Sequence, residues 1–183
     1  MQQTFPQDLE QTISPLARTP ATLDALLRGL PEFWTRCNEG QGTWSAYDVV
    51  GHLIHGERTD WIPRAMRILE SGESVPFDPF DRLAQTRESD GKTLDQLLDE
   101  FAHARQESIA ALRALNITSS DLGLRGRHPA LGVVTLSELL STWAAHDLTH
   151  LHQISRIMAH QYREAVGPWT AFLGVLQCTG HSA

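Results

Sequence analysis

The segment Trp143-Ala-Ala-His146-Asp147-Leu148-Thr149-His150-Leu151 lies inside a run of helical period. Leu136, Leu139, Trp143, His146, His150, Ile154 and Ile157 follow one another at steps of 3, 4, 3, 4, 4 and 3 residues, the spacing of one helix face. A helix over residues 135–160 is therefore predicted, opened by the capping box Thr135-Leu-Ser-Glu138. His146 and His150 occupy positions on its inward seam that a bundle ordinarily fills with leucine. Imidazoles at i and i+4 project the same way and can meet one divalent ion.

The rest of the chain reads as further helices. A first helix is expected over about residues 22–37, with Leu23, Leu26, Leu27 and Leu30 on one stripe and a bend or interruption at Pro31. A second begins at Ser45, where Ser45 and Asp48 resemble a capping box, and runs to about residue 70 with a kink near Pro63. Residues 73–91 carry Pro76, Phe77, Pro79 and Phe80 without a sustained period and read as a long loop. A third helix spans about residues 94–115. Residues 122–134 contain Gly123, Gly126, Pro129 and Gly132 and read as a small hairpin or an irregular flap, and residues 169–177 as a short closing helix. The whole chain, residues 1–183, is expected to be one all-α domain, a four-helix bundle. The joint of about 20 residues before the third helix could span about 65 Å extended, so it can leave the second and third helices parallel.

His52, in Val49-Val50-Gly51-His52-Leu53-Ile54-His55-Gly56-Glu57, belongs to another apolar face. Gly51 and Gly56 beside it suit a close approach by another helix or a ligand, or a kink. Spacing alone leaves two readings of His52, His146 and His150: hydrogen-bonded core residues, or ligands of Zn, Ni, Fe or Mn. His55 is expected to face solvent, and His128 to sit in a surface turn rather than line the mouth of the site. Glu57, Asp60 and Asp147 are the carboxylates near these histidines. Asp147 turns about 100° from His146, which suits a salt bridge better than a ligand role. Trp61 and Trp143 read as core. Cys37 and Cys178, two cysteines without a pattern, read as reduced, buried and small.

Composition excludes whole classes. With 15 Lys+Arg against 22 Asp+Glu the net charge is −7, which argues against binding a phosphate backbone. No apolar run approaches the ~20 residues of a membrane span, and residues 1–10 lack the pattern of a signal peptide. The expected location is cytoplasmic.

Trp44-Ser45-Ala46 leading into Asp48-Val49-Val50-Gly51-His52-Leu53 resembles the second-helix signature of the DinB-like superfamily. His146-Asp147-Leu148-Thr149-His150 with Gln153-Ile154 resembles its last bundle helix, and the segments 128–132 and 135–140 fit the same pattern. The likeness runs from about residue 22 to 160. It implies an up-down-down-up bundle and one divalent metal ion per chain held by His52, His146 and His150. It also implies a small-molecule substrate and a homodimer. Some relatives transfer low-molecular-weight thiols such as bacillithiol or mycothiol, so the leading expectation is a thiol S-transferase with such a thiol as co-substrate. A metal-dependent hydrolase is the alternative, and a non-catalytic, metal-stabilised binding module the second.

Overall fold

The computed structural model describes residues 9–178; Met1 to Asp8 and Thr179 to Ala183, with His181, lie outside the described residues. Eight α-helices and one hairpin follow in order: α1 Leu9–Leu16, α2 Thr19–Leu27, α3 Glu32–Arg36, α4 Ala46–Thr59, α5 Trp61–Ser71, α6 Ala84–Ser89, α7 Leu94–Ala114, β1 Arg125–His128, β2 Gly132–Thr135 and α8 Leu136–His160. Four rods of helix make the bundle: α1 with α2, α4 with α5, α7, and α8.

Side-chain register gives the direction of each rod. The Tyr47 hydroxyl donates to the Lys92 carbonyl just before α7, and Glu57, further along, pairs with Arg105, so α4–α5 and α7 run the same way. Glu10 pairs with Arg113 and Arg28 with Asp99, so α1–α2 run against α7. His52 meets His150, while Trp61, further along, stacks on the earlier Trp143, so α8 runs against α4–α5. The order is up-down-down-up, and the crossover between α5 and α7 carries the chain back to make the parallel pair.

Local chemistry explains the long helices. Three capping boxes open them. Ser45 Oγ accepts the Asp48 amide while Asp48 accepts the Ser45 amide, and Thr93 with Gln96 and Thr135 with Glu138 do the same. The second rod breaks at Asp60 (φ −102°, ψ −66°), near Pro63 as expected. Pro63 falls in the first turn of α5, where an amide proton has no intrahelical partner to lose.

Three expectations are corrected. The first rod is not one helix over 22–37. It starts at Leu9 and α2 starts at Thr19, with Pro20 in its first turn. Gly29 (φ +75°) then ends α2 before α3 begins after Pro31. The joint over 73–91 is not all loop, because α6 forms there. The closing segment is not α-helical but two 3-10 turns, Gly167–Phe172 and Gly174–Leu176, each opened by a glycine. Residues 125–135 do form a hairpin, with Arg125 opposite Thr135 and His128 opposite Gly132.

The core has two apolar clusters. One gathers Leu23, Val50, Leu53, Phe101 and Ile154, the other Leu16, Trp61, Ile68, Leu112 and Trp143. Arg105 joins them, its guanidinium 4.9 Å from the Phe101 ring and 5.4 Å from that of Trp143. No helix among the described residues is long and apolar enough to cross a membrane. Cys37 is half-buried and Cys178 exposed, so the expectation of a buried Cys178 is corrected by its place in the open C-terminal turn.

Candidate metal centre

The antiparallel packing of α4 on α8 puts His52 beside the i, i+4 pair. His146 Nε2 lies 3.1 Å from His52 Nε2 and 3.0 Å from His150 Nε2. One nitrogen from each ring thus falls within 4.8 Å of the others. His52 and His150 are buried and His146 is half-buried.

The outer nitrogens fix the tautomers. His52 Nδ1–H donates to Gln85 Oε1 at 3.0 Å, and His150 Nδ1–H donates to Gln153 Oε1 at 2.8 Å. An amide oxygen can only accept, so both protons sit on Nδ1 and both Nε2 atoms present lone pairs. His146 Nε2 faces both lone pairs and can donate a proton to only one of them. Its Nδ1 is buried without a hydrogen-bond partner among the described residues. At least one of the two nitrogen pairs therefore sets lone pair against lone pair. A divalent cation at the meeting point would turn that repulsion into coordination, so the residues fit such an ion.

Electrostatics agrees. Burial, then the neighbouring His150, pushes the His52 pKa down to about 3. Burial, then His150 and His52, pushes that of His146 down to about 2. Both rings are neutral at physiological pH, the form in which imidazole binds a metal.

Aromatic rings hold the cluster. Trp44 lies 4.8 Å from the His52 ring and stacks on His150, and Trp61 meets His146 edge-on at 5.1 Å. Phe80, from the crossover, packs edge-on against His52 and His55. The three histidines line a cavity of about 650 Å³ shared with Trp44, Asp60, Arg64, Phe80, Arg82 and His128.

The three neighbouring carboxylates separate clearly. Glu57 Oε1 accepts from Arg105 (2.8 Å) and Trp143 Nε1 (3.0 Å), and Asp147 accepts both terminal nitrogens of Arg105. Both acids are thus engaged in the core. Asp60 alone of the three lines the cavity. Its position at the α4–α5 break leaves its side chain free of any capping bond, and burial raises its pKa despite Arg64 beside it.

His55 does not face solvent as expected. It is buried, with Nδ1 3.2 Å from a Glu88 carboxylate oxygen, because α6 covers that face of α4. His128 is not in a plain surface turn as expected: it ends β1 of the hairpin and lines the cavity. His103 is exposed beside Glu107, and His152 and His160 stand apart from the cluster. Gln85, Phe80, Arg64 and Arg82 went unrecognised in the sequence. Gln153 had a usable signal, one turn beyond His150 on the same helix; Gln85 had none, since α6 is six residues long.

The fold and the donor set define a four-helix-bundle protein with a histidine cluster of metal-ligating type. The chain belongs to the DinB superfamily, whose family model matches residues 16–154. Among solved structures it is similar to YfiT from Bacillus subtilis, with a TM-score of 0.72 and 20% identity over 90% of this chain and 91% of that one. That protein is described as a probable metal-dependent hydrolase with an unusual four-helix bundle topology. At this identity the likeness is one of fold. A comparison with curated proteins finds no match to the sequence.

Proposed function

We propose that the chain is a divalent-metal-dependent hydrolase of a small molecule, with His52, His146 and His150 holding the ion and Asp60 handling the proton. The observation that carries this reading is the meeting of three Nε2 atoms at the wall of a cavity that also contains a partly buried carboxylate. When bound, a divalent ion of the imidazole-preferring kind would supply Lewis acidity toward water or a substrate oxygen.

The chain's own groups do the rest. Arg64 engages Asp60 Oδ1 at 2.7 Å, which leaves Oδ2 to take a proton from the attacking nucleophile and return it to the leaving group. The raised pKa brings this carboxyl toward the range in which it can do both. Gln85 and Gln153 hold the His52 and His150 rings in the tautomer that presents Nε2. Trp44, Trp61 and Phe80 exclude water around the rings.

A low-molecular-weight-thiol S-transferase is the second reading. The cavity of about 650 Å³ has room for a thiol beside its electrophile, and none of its lining residues is cysteine, so the thiol would come from a co-substrate. In this reading Asp60 takes the thiol proton.

The test joins elemental mass spectrometry of untagged protein to a screen of chromogenic esters, amides and phosphoesters. A parallel arm offers a bimane electrophile with a small thiol. The parent is expected to carry about one ion per chain and His146→Ala/His150→Ala none. Asp60→Asn should keep the ion and lose turnover by about a hundredfold. No ion in the parent after incubation with zinc or nickel, or unchanged turnover in Asp60→Asn, overturns the reading. An ion without turnover on any arm favours the binding module.

A further inference from the structure

We propose that this cavity selects a small anionic substrate, one bearing a carboxylate or phosphate group, which Arg82, Arg64 and His128 receive. The inference rests on the cavity being the substrate site.

The charges lining the cavity do not cancel. Its charged side chains are Asp60, Arg64 and Arg82, and the first two neutralise each other across 2.7 Å. Arg82 has no carboxylate partner among the described residues. The cavity therefore carries a net positive charge in a chain whose net charge is −7.

The isolation of Arg82 has a local cause. Other arginines around the crossover find acids: Arg67 pairs with Asp78, and Arg87 with Asp81. Asp81, next to Arg82 in sequence, is engaged elsewhere through both oxygens. Its Oδ2 accepts from Arg87 at 2.5 Å and its Oδ1 from the Leu83 amide at 2.9 Å. The chain thus directs its nearest carboxylate away from Arg82 and leaves that guanidinium at the cavity, close enough for its charge to be felt at His52.

The other donors are also set. Arg64 is buried beneath the cavity with its guanidinium 5.5 Å from the Phe77 ring, one terminal nitrogen on Asp60 and its remaining N–H groups without a protein acceptor among the described residues. His128 Nδ1 accepts the amides of Ala130 and Leu131, each at 3.1 Å, so in the neutral ring the proton sits on Nε2 as a donor. Two guanidinium forks and an imidazole N–H form a donor set that matches the flat fork of a carboxylate or the oxygens of a phosphate.

The experiment is calorimetry on full-length protein freed of metal with a chelator, so that no ion supplies affinity for anions. The probes are succinate, inorganic phosphate and the neutral analogue succinamide. At least one anion should bind and succinamide should not, with the two anions showing which group fits. Arg82→Glu should weaken anion binding by about tenfold or more, with Arg82→Lys in between. Equal binding of succinamide and succinate, no binding of either anion, or an unchanged affinity in Arg82→Glu overturns the proposal. Zinc titration of the same preparations separates this from the metal reading. Zinc binding without anion binding sinks the anion proposal alone, and Arg82-dependent anion binding without zinc binding sinks the metal reading alone.

Discussion

Arg105 donates both terminal nitrogens to the two oxygens of Asp147, at 2.5 and 2.9 Å, although Arg105 sits on α7, the long helix that carries none of the clustered histidines. The same guanidinium reaches Glu57 on α4 and the Leu16 carbonyl on α1. One side chain therefore ties together all four rods, and its acidic partners lie on the two helices that present the histidines. Asp147 is adjacent to His146, so the pair also sets the rotation of α8 about its axis. Arg105→Met should leave two carboxylates buried and unpaired and cost about 3–5 kcal/mol. Urea denaturation measures this; a loss under about 1 kcal/mol would show that the acids find other partners.

The two glutamine contacts predict a loss of affinity without loss of fold. Gln85 and Gln153 each accept an Nδ1–H of a clustered histidine, which aims Nε2 inward. Gln85→Ala or Gln153→Ala should weaken zinc binding by about 10–100-fold. Gln85→Glu, which keeps an acceptor at the same reach, should hold or raise the affinity. Competition against a chromophoric chelator reads both effects, and unaltered circular dichroism excludes unfolding as their cause. An unchanged zinc affinity in both alanine variants would mean that the rings are aimed by packing alone.

The inward seam of α8 was legible because Trp143, His146, His150 and Ile154 keep one helical face over several turns, and period is what a sequence displays best. The bundle followed from that face and the other apolar stripes, whereas spacing alone left His52, His146 and His150 between core residues and ligands, and the resemblance to the DinB-like signatures grouped them as one site. The breaks were harder to place. Pro63 advertises the kink, but the break itself falls three residues earlier, at Asp60, because proline has no amide to offer the Thr59 carbonyl. α6 was hidden because six residues make too little periodicity to detect, and with it went Gln85 and the burial of His55. Arg82 and Asp60 gained their meaning only from the crossover and the break that bring them to one cavity, a relation between distant segments that local pattern does not encode.

Acid should unfold the metal-free protein earlier than its carboxylates alone would. His52 and His146 are held neutral by burial, with pKa values pushed down to about 3 and about 2. In the unfolded chain both take up a proton near their ordinary value of about 6.5. The stability that these groups contribute is thus present above that value and is lost as pH falls toward the folded values. Each contributes a slope of about 1.4 kcal/mol per pH unit in that window. Urea midpoints of chelator-treated protein at a series of pH values between about 7.5 and 4.5 check this. A His52→Gln/His146→Gln variant should lose most of the slope, and an equal slope in parent and variant would assign it to other groups.

Gly51 permits the close contact of α4 with α6. A Cβ at this position would collide with Ser89 Oγ, while the Ser89 carbonyl accepts the Tyr47 hydroxyl from the same face of α4. In a free helix, replacing glycine by alanine stabilises by about 1 kcal/mol. Overpacking costs about 1–3 kcal/mol where the neighbour has no room to give way, and the Ser89 side chain is buried at this contact. Gly51→Ala is therefore expected to come out destabilising, and to weaken zinc binding as α6 withdraws Gln85 from His52. Gly51→Ala/Ser89→Ala removes the atom that the new Cβ meets and leaves the Ser89 carbonyl in place, so it should recover both stability and zinc affinity. Denaturation and chelator competition on the single and double variants decide the matter. A single variant as stable as the parent, or a double variant no better than the single, would show that α6 does not depend on this contact.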